Sequence, residues 1–536
     1  MNRRLLICWV FLCLSIQLIA QAQTNLDVNN VSARIVSNGS LFWDMNGTSQ
    51  YNVPKVVAGS GDIKKSPIFM ATLWLHAIDS NGDTLISVDL YHQKGTDFGQ
   101  GVLPPGAGLG FTPILDQRIF NLSRTDIQEI NLDTSNITQD IKDWPTYYVY
   151  KGDTVRLAPY VDVNHDGYYN PKDQDYPFVY GDQSLLFYYH DMVPHALSKS
   201  KPLGIQIQAQ AYAFATNDKI NDYVFVQYKI ISQNQDLRQF RVGVFSDYDL
   251  GNYSDDYVAT DTSRNMTFVY NGDNDDEGIT GYGLNPPAFA TVFINQPLCA
   301  SCMMQNSDSS DFRTPNNEIE FRNALYGLST SGDSMEINAP GFPAGTHSQY
   351  HFTGMPGAGQ NGWSMDNDPR FQPDDYRMMG ITGQDSLMQG DTFRLLLLFA
   401  YARTNTGGAI GSVQKLQNDV DDIFNRWFTK PQIPANCFSQ GKKSGSGVDF
   451  VLPKDEIRLA NIYPNPANNH LQIELISDER LVRYSIYNSN GQTIQSGSSQ
   501  GDFTVEVASL PNGIYFLRLE DAELERQESF KFILQH

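Results

Sequence analysis

The most ordered chemistry in this sequence lies between Asp162 and Asp173. With Asp162 as position 1, oxygen side chains stand at positions 1, 3, 5, 9 and 12 (Asp162, Asn164, Asp166, Asn170, Asp173), and Gly167 fills position 6. That spacing lets one short loop wrap a calcium ion. Carboxylate and amide oxygens turn toward a centre, the position of Tyr168 supplies a backbone carbonyl, and the glycine takes the sharp bend. Asp173 stands where helix-flanked loops place a bidentate Glu, and Pro171 and Tyr176-Pro177 oppose a following helix. The expectation is a structural calcium loop between strands. A metal-free run of Asx turns is the alternative, and it leaves several carboxylates close together with no cation between them.

A second set of acids follows an apolar run: Asp247, Asp249, Asp255 and Asp256, with Asp273 and Asp275 in the next acidic stretch. These show no regular ladder of ligands. Calcium shared between the two loops and plain solvated loop acids both fit them. Cys8 and Cys13 fall in the first 22 residues, which leaves Cys299, Cys302 and Cys437. Cys299-Ala-Ser-Cys302 has no second CxxC and no nearby His to complete a zinc site, so a local Cys299–Cys302 disulfide is expected. No GxSxG elbow, HExxH helix or Walker loop occurs. His190 with His195 and His347 with His351 are closely spaced, but neither pair sits on a helical pattern.

The elements that must hold these residues are strands. Ile68–Ala77 is a continuous apolar run, Asn81-Gly82 supplies a tight turn, and Thr84–Leu90 reads as the return strand. Leu185–Tyr189, Gly204–Ala215, Asp222–Ser232, Gln239–Phe245 and Asp391–Arg403 follow, separated by turns. That pattern predicts a mainly β protein with an antiparallel sandwich or barrel-like body. One amphipathic helix is expected at about 410–428, since Val413, Leu416, Val420, Ile423, Phe424 and Trp427 share a face. A net charge of -22 argues against nucleic acid or an anionic membrane as partner.

Arg3 and Arg4, the apolar run Leu5–Ala20 and the small residues around Ala22 form a cleavable signal peptide over residues 1–22. The run is shorter than the ~20 residues a membrane span needs, and no other long apolar run occurs, so no transmembrane span is expected. Residues 23–430 form the body, with a candidate subdomain boundary near 180. Residues 431–456, with two prolines and the run Gly441–Gly447, read as a linker. Residues 457–536 form a small C-terminal β-sandwich.

In that last segment, Tyr463-Pro464-Asn465-Pro466 opens the domain and Pro511-Asn512-Gly513 with Tyr515 precedes the final hairpin. This order resembles the type A C-terminal sorting domain of type IX (Por) secretion. The resemblance implies recognition by the type IX machinery, passage across the outer membrane, removal of the domain, and release or attachment to surface lipopolysaccharide. The body is similar to a group of exported proteins carrying the same kind of sorting domain, through stretches such as Asp97–Gly101, the Asp162 loop, Asp175-Tyr176-Pro177 and Asp247–Asn252. The resulting expectation is a secreted or cell-surface protein whose calcium-stabilised body serves binding, adhesion or structure. A secreted hydrolase acting on glycans through a carboxylate pair is the alternative.

Overall fold

The computed structural model describes residues 22–439 and 460–535, apart from short stretches at 45–46, 58, 92–94, 133–134, 136, 165, 308, 358, 360–361, 434–436, 464–466, 476–480, 489–490 and 522–525. The expected signal peptide up to residue 21, most of the expected linker, and Pro464, Asn465 and Pro466 lie outside the described residues. Two compact units result, a body and a C-terminal domain.

Runs rich in Val, Ile, Tyr and Phe become long antiparallel strands in the body. A nine-stranded sheet runs in the order Asp256–Asp261, Met266–Asn271, Ala288–Phe293, Thr392–Ala402, Tyr223–Ser232, Ile205–Ala213 and Gln183–His190. Two short strands, Gly99–Gln100 and Ile119–Ser123, complete it, each pairing with Gln183–His190. A five-stranded sheet runs Ala300–Gln305, Tyr376–Leu387, Leu237–Asp247, Met70–Ile78, Thr84–Ser87.

The two sheets face each other. Phe240 packs edge-on against Phe393 with centroids 5.5 Å apart, and Ser246 Oγ lies 3.1 Å from Thr291 Oγ1. Because side chains alternate along a strand, Phe245 and Asp247 point the other way. On that outer face Trp74 stacks on Phe245 at 4.9 Å, and the short helix Glu318–Ala324 covers both through Phe321.

A subdomain boundary near 180 does not exist. Strands from before that residue, Met70–Ile78 and Thr84–Ser87, sit in the same sheet as Leu237–Asp247 and Tyr376–Leu387. Residues 124–179 instead form a cap on one face of Gln183–His190 and its neighbour Ile119–Ser123. Its core joins Phe120, Ile141, Trp144 and Tyr148 to Leu186 and Tyr188. The cap carries the Asp162 loop.

The amphipathic helix spans Gly408–Arg426 and buries Val413, Leu416, Val420, Ile423 and Phe424; Trp427 follows its last residue. Its polar side is tied down as well, Asp421 pairing with Arg264 (2.7 Å).

The expected Cys299–Cys302 disulfide is wrong. Cys299 bonds to Cys437, with Cα atoms 5.5 Å apart, and Cys302 is a buried free thiol. Cys302 lies in the strand Ala300–Gln305. At about 3.3 Å per residue, positions three apart along an extended chain are about 10 Å apart and face opposite sides, beyond the reach of a disulfide. The bond also shifts the expected linker boundary at 431. Cys437–Ser439 forms a turn on the body, where Phe438 lies over the Arg241 guanidinium at 3.6 Å.

Candidate cation sites and the C-terminal domain

The Asp162 loop is entered by Tyr160–Val161 and left by Tyr176–Pro177, and these two short strands pair with each other. Within it, Asp162 Oδ2 accepts from Gly167 N (2.7 Å) and Oδ1 from Asp166 N (3.3 Å). Asn164 Oδ1 accepts from Asp166 N (3.1 Å), and Asp166 Oδ1 from Tyr168 N (2.8 Å). Gly167 has a φ of 81°, the left-handed bend that position 6 requires. Tyr168 points its ring into solvent, 70% exposed, so only its backbone can serve the loop.

Asn170 and Asp173 form a separate pair. Asn170 Nδ2 donates to Asp173 Oδ2 (2.5 Å), and Asn170 caps the turn Pro171–Asp173. Sequence spacing missed Asp175, which is completely buried and accepts amides from both Val163 and Asn170, each at 2.8 Å. The Tyr160 phenol is pushed up by burial and by the Asp162 and Asp175 carboxylates.

The second set of acids separates into three. Asp247 and Asp249 meet Asp375, their oxygens lying within 4.8 Å of one another. Sequence reading missed both Asp375 and the neighbour that balances the trio, Arg377. Its Nε lies 2.9 Å from Asp247 Oδ1 and its terminal nitrogen 3.4 Å from Asp375 Oδ2. Burial pushes Asp247 up to about 6. Burial, then the Asp247 and Asp375 charges, push Asp249 well above the ordinary carboxylate range.

Asp255 and Asp256 meet Asp276 instead. Asp256 Oδ2 accepts from Leu250 N (2.8 Å); Asp276 accepts from Asn252 N (3.0 Å) and Tyr282 N (2.7 Å). Burial and the Asp276 charge push Asp255 up to about 6. Asp273 is exposed and accepts from Asp275 N in its own turn, so these two acids join neither group.

All donors in these groups are oxygens, the chemistry that suits a hard divalent cation rather than zinc or copper. The fit differs between them. In the Asp162 loop the side chains turn inward around a left-handed glycine, and among the described residues no basic side chain is paired to them. At Asp247 the Arg377 guanidinium already stands among the carboxylates, so a metal there competes with a built-in cation.

His190 and His351 are used in packing, while His347 is exposed and bonds to Ser334. Burial lowers His190 to about 4 and His351 to about 3, and each accepts a backbone N–H at Nδ1, from Met192 and Met303. Ser198 Oγ lies 3.5 Å from His195 Nδ1, and Asp97 Oδ2 lies 3.9 Å from that same nitrogen. A nucleophile relay needs the two partners on different ring nitrogens. Here Nε2 faces the Asp191 carbonyl instead, at 2.9 Å.

The C-terminal domain pairs a three-stranded sheet (Ala460–Tyr463, His470–Leu475, Phe503–Glu506) with a four-stranded one (Thr493–Gln500, Leu481–Asn488, Gly513–Asp521, Arg526–Leu534). Its core contains Leu471, Ile473, Ile486, Leu517, Leu519 and Phe532. Tyr484 stacks on Phe503 at 4.9 Å, joining the two sheets. Tyr515 stacks on Phe532 and donates its hydroxyl to the Pro511 carbonyl (2.9 Å), which pins the Pro511-Asn512-Gly513 turn before the last hairpin.

Residues 461–535 match the family model described as the secretion system C-terminal sorting domain. The chain is a type IX secretion substrate. Its sorting domain interacts with the type IX machinery, and its destination is the cell surface or the medium. No functionally curated protein matches the sequence.

Three solved structures are similar at low level. A DUF3244 family protein with an immunoglobulin-like β-sandwich from Bacteroides vulgatus shares 13% identity, covering 14% of this chain and 85% of its own, with a TM-score of 0.13. The BSP domain of a biofilm associated protein shares 8% identity over 66% of this chain and 59% of its own, TM-score 0.14. PorZ, a surface component of the type IX system of Porphyromonas gingivalis, shares 9% identity over 96% of this chain and 75% of its own, TM-score 0.13. At such TM-scores these likenesses carry no argument about the body. Among the described residues, no helix is long and apolar enough to cross a membrane.

Proposed function

We propose that residues 1–22 direct the chain into the periplasm and that the sorting domain takes the body onward. There, released or held on surface lipopolysaccharide, the body acts as a calcium-stiffened module for binding, adhesion or structure. The observation that carries this reading is the Asp162 loop. Three oxygen side chains fold inward on their own backbone amides around a left-handed Gly167, in the order a calcium loop requires.

Calcium bound there would supply charge neutralisation and cross-linking, with Asp162, Asn164, Asp166 and the Tyr168 carbonyl as its ligands. Three buried acids in and beside the second set are engaged within the fold. Asp247 is paired with Arg377, and Asp256 and Asp276 hold backbone amides.

The test is a protease challenge on intact cells of a host with type IX secretion. An epitope-tagged chain should be accessible outside the cell and resist digestion in calcium, and should be cut rapidly in chelator. A variant lacking residues 460–536 should stay in the periplasm. External body that is digested at the same rate with and without calcium would sink the stiffening, and export of the truncated chain would sink the sorting step.

A further inference from the structure

The Asp162 loop is closed by a residue outside its own ligand spacing. Asp175 is completely buried, with Oδ1 2.8 Å from Val163 N and Oδ2 2.8 Å from Asn170 N. The Val163 amide belongs to the peptide that follows Asp162, and the Asn170 amide to the peptide that precedes Asn170. One carboxylate therefore fixes the two peptide planes beside the first and ninth loop positions.

The rest of the surroundings make this staple rigid. The paired strands Tyr160–Val161 and Tyr176–Pro177 join the loop ends directly behind it. Tyr169 donates its hydroxyl to the Ile141 carbonyl (2.6 Å) and packs edge-on against Tyr160, which ties the loop to the cap core. A buried carboxylate is costly unless charge-assisted hydrogen bonds replace its water. Both Asp175 oxygens have such bonds, and both bonds go to the loop backbone.

We propose that Asp175 is the positioning residue of this loop: by holding the Val163 and Asn170 amides it keeps the loop closed so that the oxygens of Asp162, Asn164 and Asp166 converge on a divalent cation, without being a ligand. The proposal rests on the reading that the loop binds calcium. Residues that orient ligands from behind typically change metal affinity by about 10–100-fold when altered. Replacing Asp175 by Asn keeps the size but turns an N–H2 group toward one of the two amide donors, so one end of the staple is lost.

The experiment is terbium luminescence on the full chain, excited through tyrosine and reversed by added calcium. Tyr160 and Tyr169, with rings 5.3 Å apart, flank the loop and serve as its antennae. Wild type should give saturable emission that calcium displaces, and Asp162→Ala should lose that component. Asp175→Asn should keep the emission maximum but bind about tenfold or more weakly, with calcium displacement weakened in parallel. Asp175→Glu keeps the charge and should fall between wild type and Asn, and it decides the question if the Asn variant does not fold. A structural role alone would lower the melting temperature in chelator and leave terbium affinity unchanged; that result overturns the proposal. Wild type without displaceable emission would instead refute the calcium reading of the loop.

Discussion

Asp247 and Arg377 stand directly opposite each other on neighbouring antiparallel strands, Oδ1 2.9 Å from Nε, with each side chain only 4% exposed. Residues two apart share one side of a sheet, so Asp375 joins Arg377 on this face, and Asp249 adds its carboxylate just past the strand end. Three carboxylates therefore surround one guanidinium, and burial pushes Asp247 up to about 6 and Asp249 well above the ordinary carboxylate range.

Removing the guanidinium should be far more damaging than its surface count suggests. Arg377→Met leaves Asp247 buried beside two further acids, and the expected loss is about 3–5 kcal/mol in urea unfolding of the body. The double variant Asp247→Asn with Arg377→Met should recover much of that loss. A single variant as stable as wild type would show that the pair is not coupled to the fold.

Two opposing groups of buried residues act on stability in the same pH window. Burial raises Asp89 to about 7 and Asp247 to about 6. Their contribution is complete below the unfolded carboxylate value of about 4 and is lost as pH rises through these folded values. Burial lowers His76 and His190 to about 4 and His351 to about 3. Their contribution is complete above the unfolded histidine value of about 6.5 and is lost as pH falls below it. The two sets oppose each other over the same window, so with three histidines against two carboxylates melting in chelator should rise from about pH 4 to about 6.5 and change little from these groups above about 7. Asp89→Asn, which keeps an acceptor for the Ser40 hydroxyl, removes the opposing loss and should steepen the rise between about pH 4 and 7. A curve of Asp89→Asn parallel to wild type between about pH 4 and 7 would contradict the assignment.

The Cys299–Cys437 bond closes 138 residues of chain. Chain-entropy arguments give about 4–5 kcal/mol for a loop of that size, so Cys437→Ser should lower the melting temperature by many degrees. Peptide mapping of the non-reduced protein should find Cys299 joined to Cys437, with Cys302 alkylated only after unfolding. A Cys299–Cys302 peptide would restore the pairing that local spacing suggested.

Much of the fold was legible because period-two patterns and turn residues act locally. Asn81-Gly82, the strand Gln183–His190 and the helix Gly408–Arg426 appear close to where the sequence placed them. The failures are long-range. Nothing near Asp247 announces Arg377, which arrives by strand pairing across 130 residues of sequence, and Cys437 reaches Cys299 only after the last helix is in place. The boundary near 180 failed because early strands insert into a sheet completed much later in the chain. In the Asp162 loop the ligand spacing was readable, but Asp175 was not, since its role depends on which amides the folded loop turns inward.

The most direct test of the account is calorimetric melting of the full chain in calcium and in chelator, beside the Asp162→Ala/Asp166→Ala variant. Ligand that binds only the folded state raises stability by about 2.7 kcal/mol at one hundred times its dissociation constant. Wild type should therefore melt several degrees higher in calcium, and the variant should melt at one temperature in both conditions. A wild-type transition that does not move between calcium and chelator would contradict the calcium-stiffened body.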